Sequence, residues 1–259
     1  MTEPVDPAAQ TITEDGFLGG RLRLRQPVTG HRAGHDAILL AASTRAKAGD
    51  RVVEFGSGVG AAGLAVARRV EGIDPVLVEI DPSLAALACD NARLNGLVAE
   101  TVCLDVTGPA EAFAAAGLGP DTADAVLMNP PFHDAARHRG SPDPARQSAH
   151  LATPTTLEAW VHAARRLLKS GGTLTLIWRA DGLADVLGVL GRGFGSVMVQ
   201  PVHGHADKPA IRILVRATKG GRAPLMLLPS LLLNDPSGHQ SPMVRAVLAG
   251  EQILPLAQS

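Results

Sequence analysis

Residues 51–70 constrain this chain more than any other segment. Arg51-Val52-Val53-Glu54-Phe55 is a short apolar run of strand type, and Gly56-Ser57-Gly58-Val59-Gly60-Ala61-Ala62-Gly63 follows it without a break. Residues 64–70 then read as a helix. A strand, a glycine-rich turn and a helix make the first unit of a nucleotide-type α/β sheet. In open sheets of that kind the ligand sits beyond the carboxyl ends of the strands. Glycine suits the turn because a Cβ would hold the backbone away from that ligand.

The chain beyond this unit keeps alternating. Strands are expected at 76–81, 101–104, 124–128, 173–178, 196–199 and 211–216. The last alternates as an antiparallel closing strand would. Helices are expected from Pro82, a residue favoured in the first helical turn, to about Asn95, and at 110–116, 156–169 and 182–190. Ser170-Gly171-Gly172 supplies a helix stop. Upstream, residues 1–15 are polar with Pro4 and Pro7 and read as a flexible tail. Arg21, Arg23 and Arg25 alternate with Leu22 and Leu24 in a hairpin or edge strand. That basic row could meet phosphate or simply blunt an exposed edge. Asp36 is placed as the N-cap of a helix over 37–42. Residues 16–259 are read as one domain: an entry segment at 16–50, a core at 51–218, and a tail at 219–259 packed back on it. The fold class expected is α/β, a Rossmann-like sheet of seven mostly parallel strands with helices on both faces.

Asp124-Ala125-Val126-Leu127-Met128 runs into Asn129-Pro130-Pro131-Phe132. Two prolines cannot continue a sheet ladder, so Asn129 falls at a strand's carboxyl end. An amide, two stiff residues and an aromatic ring in that order can hold a planar, amino-bearing group. The plain alternative is a strand ending in a Pro-Pro turn. With five Phe, two Trp and no Tyr in the chain, an aromatic at this position is notable.

The glycine segment fits two frames. Gly58-Val59-Gly60-Ala61-Ala62-Gly63 matches a dinucleotide fingerprint, with Glu79 about twenty residues on. Glu54-Phe55-Gly56-Ser57-Gly58-Val59-Gly60 matches the acidic E-x-G-x-G-x-G turn of S-adenosylmethionine (SAM) methyltransferases. A pyrophosphate at a helix N-terminus gains nothing from a carboxylate at Glu54. SAM carries an ammonium and a sulfonium, which an acid suits. Glu79, after the second strand, can accept from both ribose hydroxyls, and Asp105, after the third, from the adenine amino group.

On these residues the chain resembles class I SAM-dependent methyltransferases, and within them the Asn-Pro-Pro-aromatic group that methylates exocyclic or amide nitrogens. Phe17-Leu18-Gly19-Gly20, the stretch from Gly30 to Asp36, Val78-Glu79-Ile80-Asp81 and the stretch from Arg212 to Pro224 resemble the bacterial tRNA(Val) adenine N6-methyltransferase family. That resemblance implies SAM as cofactor, held by Asp36, Glu54, Gly56, Ser57, Gly58, Gly60, Glu79, Ile80, Asp105, Val106 and Asn129. It implies Asn129, Pro130, Pro131 and Phe132 as the catalytic turn. It further implies an RNA partner, tRNA in particular, met by Arg32, His35, Phe132, His133, Arg137 and Arg139, with His31 and Arg146 as further candidates. The aromatic is often Tyr in this family; Phe132 keeps the stacking and lacks the hydroxyl. Glutamine N5- and rRNA guanine N2-methyltransferases share the turn. The glutamine enzymes usually carry a helical amino-terminal domain, for which about fifty residues before the first core strand leave little room. An NAD-dependent oxidoreductase would give Asn129-Pro130-Pro131 no role, and a non-catalytic RNA-binding protein would keep the fold without turnover.

Charge and cysteines add bounds. A net charge of −1 is not the overall signature of a nucleic-acid binder, so any RNA contact must be local. Cys89 and Cys103 show no metal-ligand spacing and read as residues of a reduced, cytoplasmic protein. No signal peptide or membrane span is indicated, no metal is expected, and nothing points to an obligatory protein partner.

Overall fold

The computed structural model describes residues 11–30, 32–131 and 154–258. Its centre is a mixed sheet. The parallel strands β3 (Arg51–Phe55), β4 (Asp74–Glu79), β5 (Glu100–Cys103), β6 (Ala123–Met128) and β7 (Leu168–Arg179) stand in the order β7-β6-β3-β4-β5. Their near-continuous apolar sequences match burial on both faces. Val52, Leu77, Ala125 and Leu127 belong to one core cluster, and Val53, Val76, Val78 and Val126 to the other. Helices α1 (His35–Ser43), α2 (Ala61–Arg69) and α3 (Pro82–Leu94) contribute to the first cluster. The second takes residues from α4 (Ala110–Ala115), α5 (Pro154–Leu167) and α6 (Leu183–Leu190).

The sheet is larger than the expected seven strands. β8 (Phe194–His203) and β9 (Ala210–Lys219) extend it antiparallel beyond β7, and two short strands, β10 (Met226–Leu227) and β11 (Leu231–Leu232), add to β8. The strand expected to close the sheet, β9, therefore lies inside it, between β7 and β8. β8 runs well past the 196–199 stretch legible in sequence because Pro201 does not break it. Pro201 falls between the short pairings of β10 with 198–199 and of β11 with 202–203, where a missing N–H costs no ladder bond on that side. Helices α7 (Pro242–Leu248) and α8 (Pro255–Gln258), with Leu254 between them, return the tail to the first core cluster through Val244, Val247, Leu254 and Leu256.

Regular structure already occurs within the expected tail of residues 1–15. β1 (Ile12–Phe17) pairs antiparallel with β2 (Leu22–Pro27). Glu14 and Asp15 look like tail residues in sequence, yet Glu14 pairs with Arg23 and Arg25 and Asp15 with Arg32. The alternating arginines thus face solvent and bridge the hairpin, while Leu22 and Leu24 are fully buried. Arg21 turns to the Leu18 and Ala249 carbonyls. Residues 1–10 lie outside the described residues.

The hairpin rests on α3 by an amide ladder. Asn91 accepts from the Arg25 N–H at 2.7 Å and donates to the Arg25 carbonyl at 3.1 Å. One helical turn on, Asn95 makes the same pair of bonds with Arg23, at 2.9 and 2.7 Å. Two side-chain amides at i and i+4 thereby do for the β2 edge what a neighbouring strand would do. Leu24→Ala should lower stability by about 2–5 kcal/mol, whereas Arg23→Ala, at a solvent-exposed ion pair, should cost about 1 kcal/mol or less. Equilibrium urea unfolding of the two variants checks this contrast.

Candidate active site

Parallel register brings the strand ends into one row. Phe55 lies opposite both Met128 and Val78, and Glu79 opposite Cys103. Gly56, Asn129, Glu79 and the Asp105 turn therefore line the same rim, across three strand gaps or about 14 Å. That span accommodates an elongated ligand lying along the strand ends.

The glycine turn is built by its own backbone. The Ser57 N–H donates to the Val78 carbonyl at 2.9 Å and the Gly60 N–H closes the turn on the Ser57 carbonyl at 2.8 Å. Gly56, Gly58 and Gly60 all take positive φ, at 63°, 54° and 85°, where a side chain is strained. A Cβ at Gly56 would stand 2.5 Å from Cη2 of Trp160 on α5, so the indole packs directly beneath the turn. At Gly58 a Cβ would meet nothing within 4 Å, which leaves open space for a ligand against the backbone. Sequence reasoning missed Trp160. The scarcity of aromatics was its one available signal, and nothing in the pattern of α5 says which residue reaches across to the turn.

Glu54 differs in detail from its expected role. Its side chain is 5% exposed and points into the protein, accepting from the Gly63 N–H in the first turn of α2 at 2.7 Å. Burial pushes its carboxyl up from the usual range to about 8; the N–H groups of Gly63 and Ala62 pull it down, and Glu79 pushes it further up. Gly63 is required here as well, since a Cβ would lie 2.8 Å from Glu54 Oε2 and 2.5 Å from Leu77 Cδ2. Glu79, also buried, accepts from the N–H groups of Gly58 (2.7 Å), Ile80 (2.9 Å) and Asp81 (3.0 Å). These bonds fix its carboxylate between the glycine turn and the start of α3. Asp105 is exposed, and its Oδ1 is occupied by the N–H and hydroxyl of Thr107, both at 2.8 Å. Ile80 stands 61% exposed on the rim, an apolar face suited to a flat ring, while Val106 is buried behind it in the core.

Two polar atoms of the row lack partners. Asn129 Oδ1 and Ser57 Oγ are both buried with no hydrogen bond among the described residues. A buried polar atom without a partner costs about 1–3 kcal/mol. Two of them flanking Gly56 point to a ligand that satisfies them. Pro130 is buried and Pro131 exposed. Phe132, His133, Arg137 and Arg139 lie outside the described residues, as do His31 and Arg146.

Two expected contacts are committed elsewhere. α1 starts at His35 with Gly34 as its cap, so Asp36 is not the N-cap. Asp36 instead sits in the first turn and accepts from Arg212 Nε of β9 at 3.0 Å, because the antiparallel β9 delivers its first residues to the same rim. Arg32 spends its guanidinium on Thr13 Oγ1, the Pro27 carbonyl and Asp15. His35 is exposed at the start of α1.

The methyltransferase small domain family matches residues 34–201. The chain belongs to this family. The tRNA1(Val) (adenine(37)-N6)-methyltransferase of Dickeya chrysanthemi is 25% identical over 83% of this chain and 85% of its own length. The release factor glutamine methyltransferase of Chlorobaculum tepidum is 27% identical over 74% of this chain and 67% of its own. Among solved structures, a predicted O-methyltransferase of Agrobacterium tumefaciens superposes with a TM-score of 0.70 at 30% identity, covering 85% of this chain and 98% of that one. A T. thermophilus 16S rRNA N2 methyltransferase, in complex with AdoMet and guanosine, shares the fold at TM-score 0.58 and 20% identity, over 83% of this chain and 52% of its own. The fold is that of a class I methyltransferase and its cofactor is S-adenosylmethionine. The open face of Gly58, the two orphaned polar atoms and the carboxylate of Glu79 fit that nucleoside. Among the described residues no helix is long and apolar enough to cross a membrane.

The buried acid gives a pH test. Because folding raises the Glu54 pKa from 4.5 to about 8, its protonated form is favoured in the folded protein. The contribution of this one group is fully present below pH 4.5 and lost as pH rises toward 8. Glu54→Gln removes the titration. In the cofactor-free protein, the stability of the variant relative to wild type should grow by a few kcal/mol between pH 5 and about 8. Parallel pH profiles of the two proteins in denaturant melts would contradict this assignment.

Proposed function

We propose that this methyltransferase transfers a methyl group to the exocyclic N6 amine of an adenine in tRNA. The observation that carries the reading is the buried Asn129 Oδ1 at the end of β6, without a partner among the described residues and followed at once by Pro130 and Pro131. An amide oxygen held in that way asks for a donor from outside the described residues, and a substrate amine offers one. Similarity to the Dickeya enzyme and to a second tRNA1(Val) (adenine(37)-N6)-methyltransferase, from Serratia proteamaculans at 28% identity, supports adenine in tRNA over the other amines that the Asn-Pro-Pro turn could serve.

The chain's residues would act by orientation. The N6 lone pair is delocalised into the ring, which makes the nitrogen a poor nucleophile. Asn129 Oδ1 and the Pro130 carbonyl would accept its two protons, draw the nitrogen toward tetrahedral geometry and aim the lone pair along the rim. The bound cofactor supplies an electrophilic methyl on a sulfonium. Glu79 and Asp105 would hold the nucleoside end of that cofactor and Ile80 would pack on its base, while Glu54 would act beneath the turn by holding α2 to β3. Phe132 would stack on the target adenine, a contact worth about 1–3 kcal/mol. No strong base is needed, because the proton can leave after transfer; positioning and electrostatics do the work. The base must be looped out or unstacked to reach the turn. His35, Arg137 and Arg139 are proposed phosphate contacts, and Arg32 acts through the hairpin it braces.

Incubation with labelled S-adenosylmethionine and bulk tRNA, followed by nucleoside analysis, should place the label in N6-methyladenosine. Label in guanine, or in a protein glutamine, overturns the substrate assignment. Asn129→Ala should lower turnover by roughly 100-fold or more with only a small change in cofactor affinity, as steady-state and binding measurements would show. A fully active variant removes the proposed role of the turn.

A further inference from the structure

The amide ladder between α3 and β2 contains an asymmetry. Asn91 and Asn95 hold the hairpin in the same way, each bonded to both backbone groups of one β2 residue. Asn91 also donates its second amide proton to the Val59 carbonyl at 3.0 Å. Val59 is the residue between Gly58 and Gly60 in the cofactor turn. Asn91 is wholly buried, so the three bonds are made without competition from water. One side chain thus ties three elements together: the hairpin, α3 and the glycine turn.

We infer that Asn91 is a positioning residue for the cofactor, through which the amino-terminal hairpin sets the geometry of the glycine turn. The Val59–Gly60 peptide plane is fixed at its carbonyl end by Asn91. The same peptide's N–H, that of Gly60, closes the turn on Ser57. One residue back, the Gly58 N–H is held by Glu79. A turn of three positive-φ glycines has many accessible backbone states, so each fixed peptide plane removes alternatives that a ligand would otherwise have to select against. Loss of the Asn91 amide leaves the buried Val59 carbonyl without this donor and lets the plane rotate. The hairpin would then no longer report to the turn.

Asn95 supplies the control, because it clamps the hairpin without touching the turn. Asn91→Leu and Asn95→Leu should both loosen the hairpin. Asn91→Leu should raise the dissociation constant for S-adenosylmethionine about tenfold or more in calorimetric titration, while Asn95→Leu stays within about twofold. Equal shifts in the two variants, or none in a folded Asn91→Leu, overturn the inference. Should Asn91→Leu fail to fold, hydrogen exchange in the unmodified protein decides. Binding of S-adenosylmethionine must slow exchange in 22–27 together with 56–60, and by a larger factor than in β8, because coupling between two sites is reciprocal. Slowing confined to 56–60 among these segments overturns it.

Discussion

The rest of the site depends on one buried bond, from the Gly63 N–H to Glu54. Glu54 leaves strand β3 pointing inward and meets the first turn of α2, so the strand and the helix on either side of the glycine turn are held to each other beneath it. A carboxyl in that position is costly to ionise, which is why its pKa rises to about 8. With its ends held there, the turn above is fixed further by Asn91 and Glu79. A side chain at residue 63 would displace both Glu54 and Leu77, so the fourth glycine of the run serves packing rather than ligand approach. The same acid lies beside Glu79, whose proximity further disfavours ionisation of Glu54.

Around this anchor, parallel register does the remaining placement. No single loop builds the site. Gly56, Glu79, Asp105 and Asn129 come from four successive strand ends, and a shift of one residue in any strand would move its contribution off the rim. Trp160 reaches the underside of Gly56 from α5, and Asn91 reaches the far side of the turn from α3. The turn is therefore supported from both faces of the sheet, with Glu54 at its base.

Much of this was legible in the sequence wherever the signal was local. The strand–turn–helix unit, the starts of α3 and α4, and the row of strand-end acids follow from apolar runs, a helix-opening proline and glycine spacing. Long-range pairing was not legible. Asp36 looks like a cap, but its partner Arg212 is far along the chain, and the local pattern carries no trace of that ion pair. Glu14 and Asp15 look like a solvated tail until Arg23, Arg25 and Arg32 are folded onto them. The glycine motif draws attention to Glu54, but its inward direction depends on the side-chain alternation of β3 and on the place where α2 begins. Asn91 sits among ordinary helix residues, and its three bonds exist only after the hairpin and the glycine turn have been brought to it.

The central claim is that the Asn129 side chain and the acids of the neighbouring strand ends form one pocket, with the target amine at Asn129. A crystal structure with S-adenosylhomocysteine and an adenine-containing oligonucleotide tests it most directly. The account predicts the adenine N6 at about 2.9 Å from Asn129 Oδ1, with the ribose hydroxyls of the cofactor product on Glu79. An adenine seated away from β6, or Asn129 turned to a partner within the chain, would contradict it.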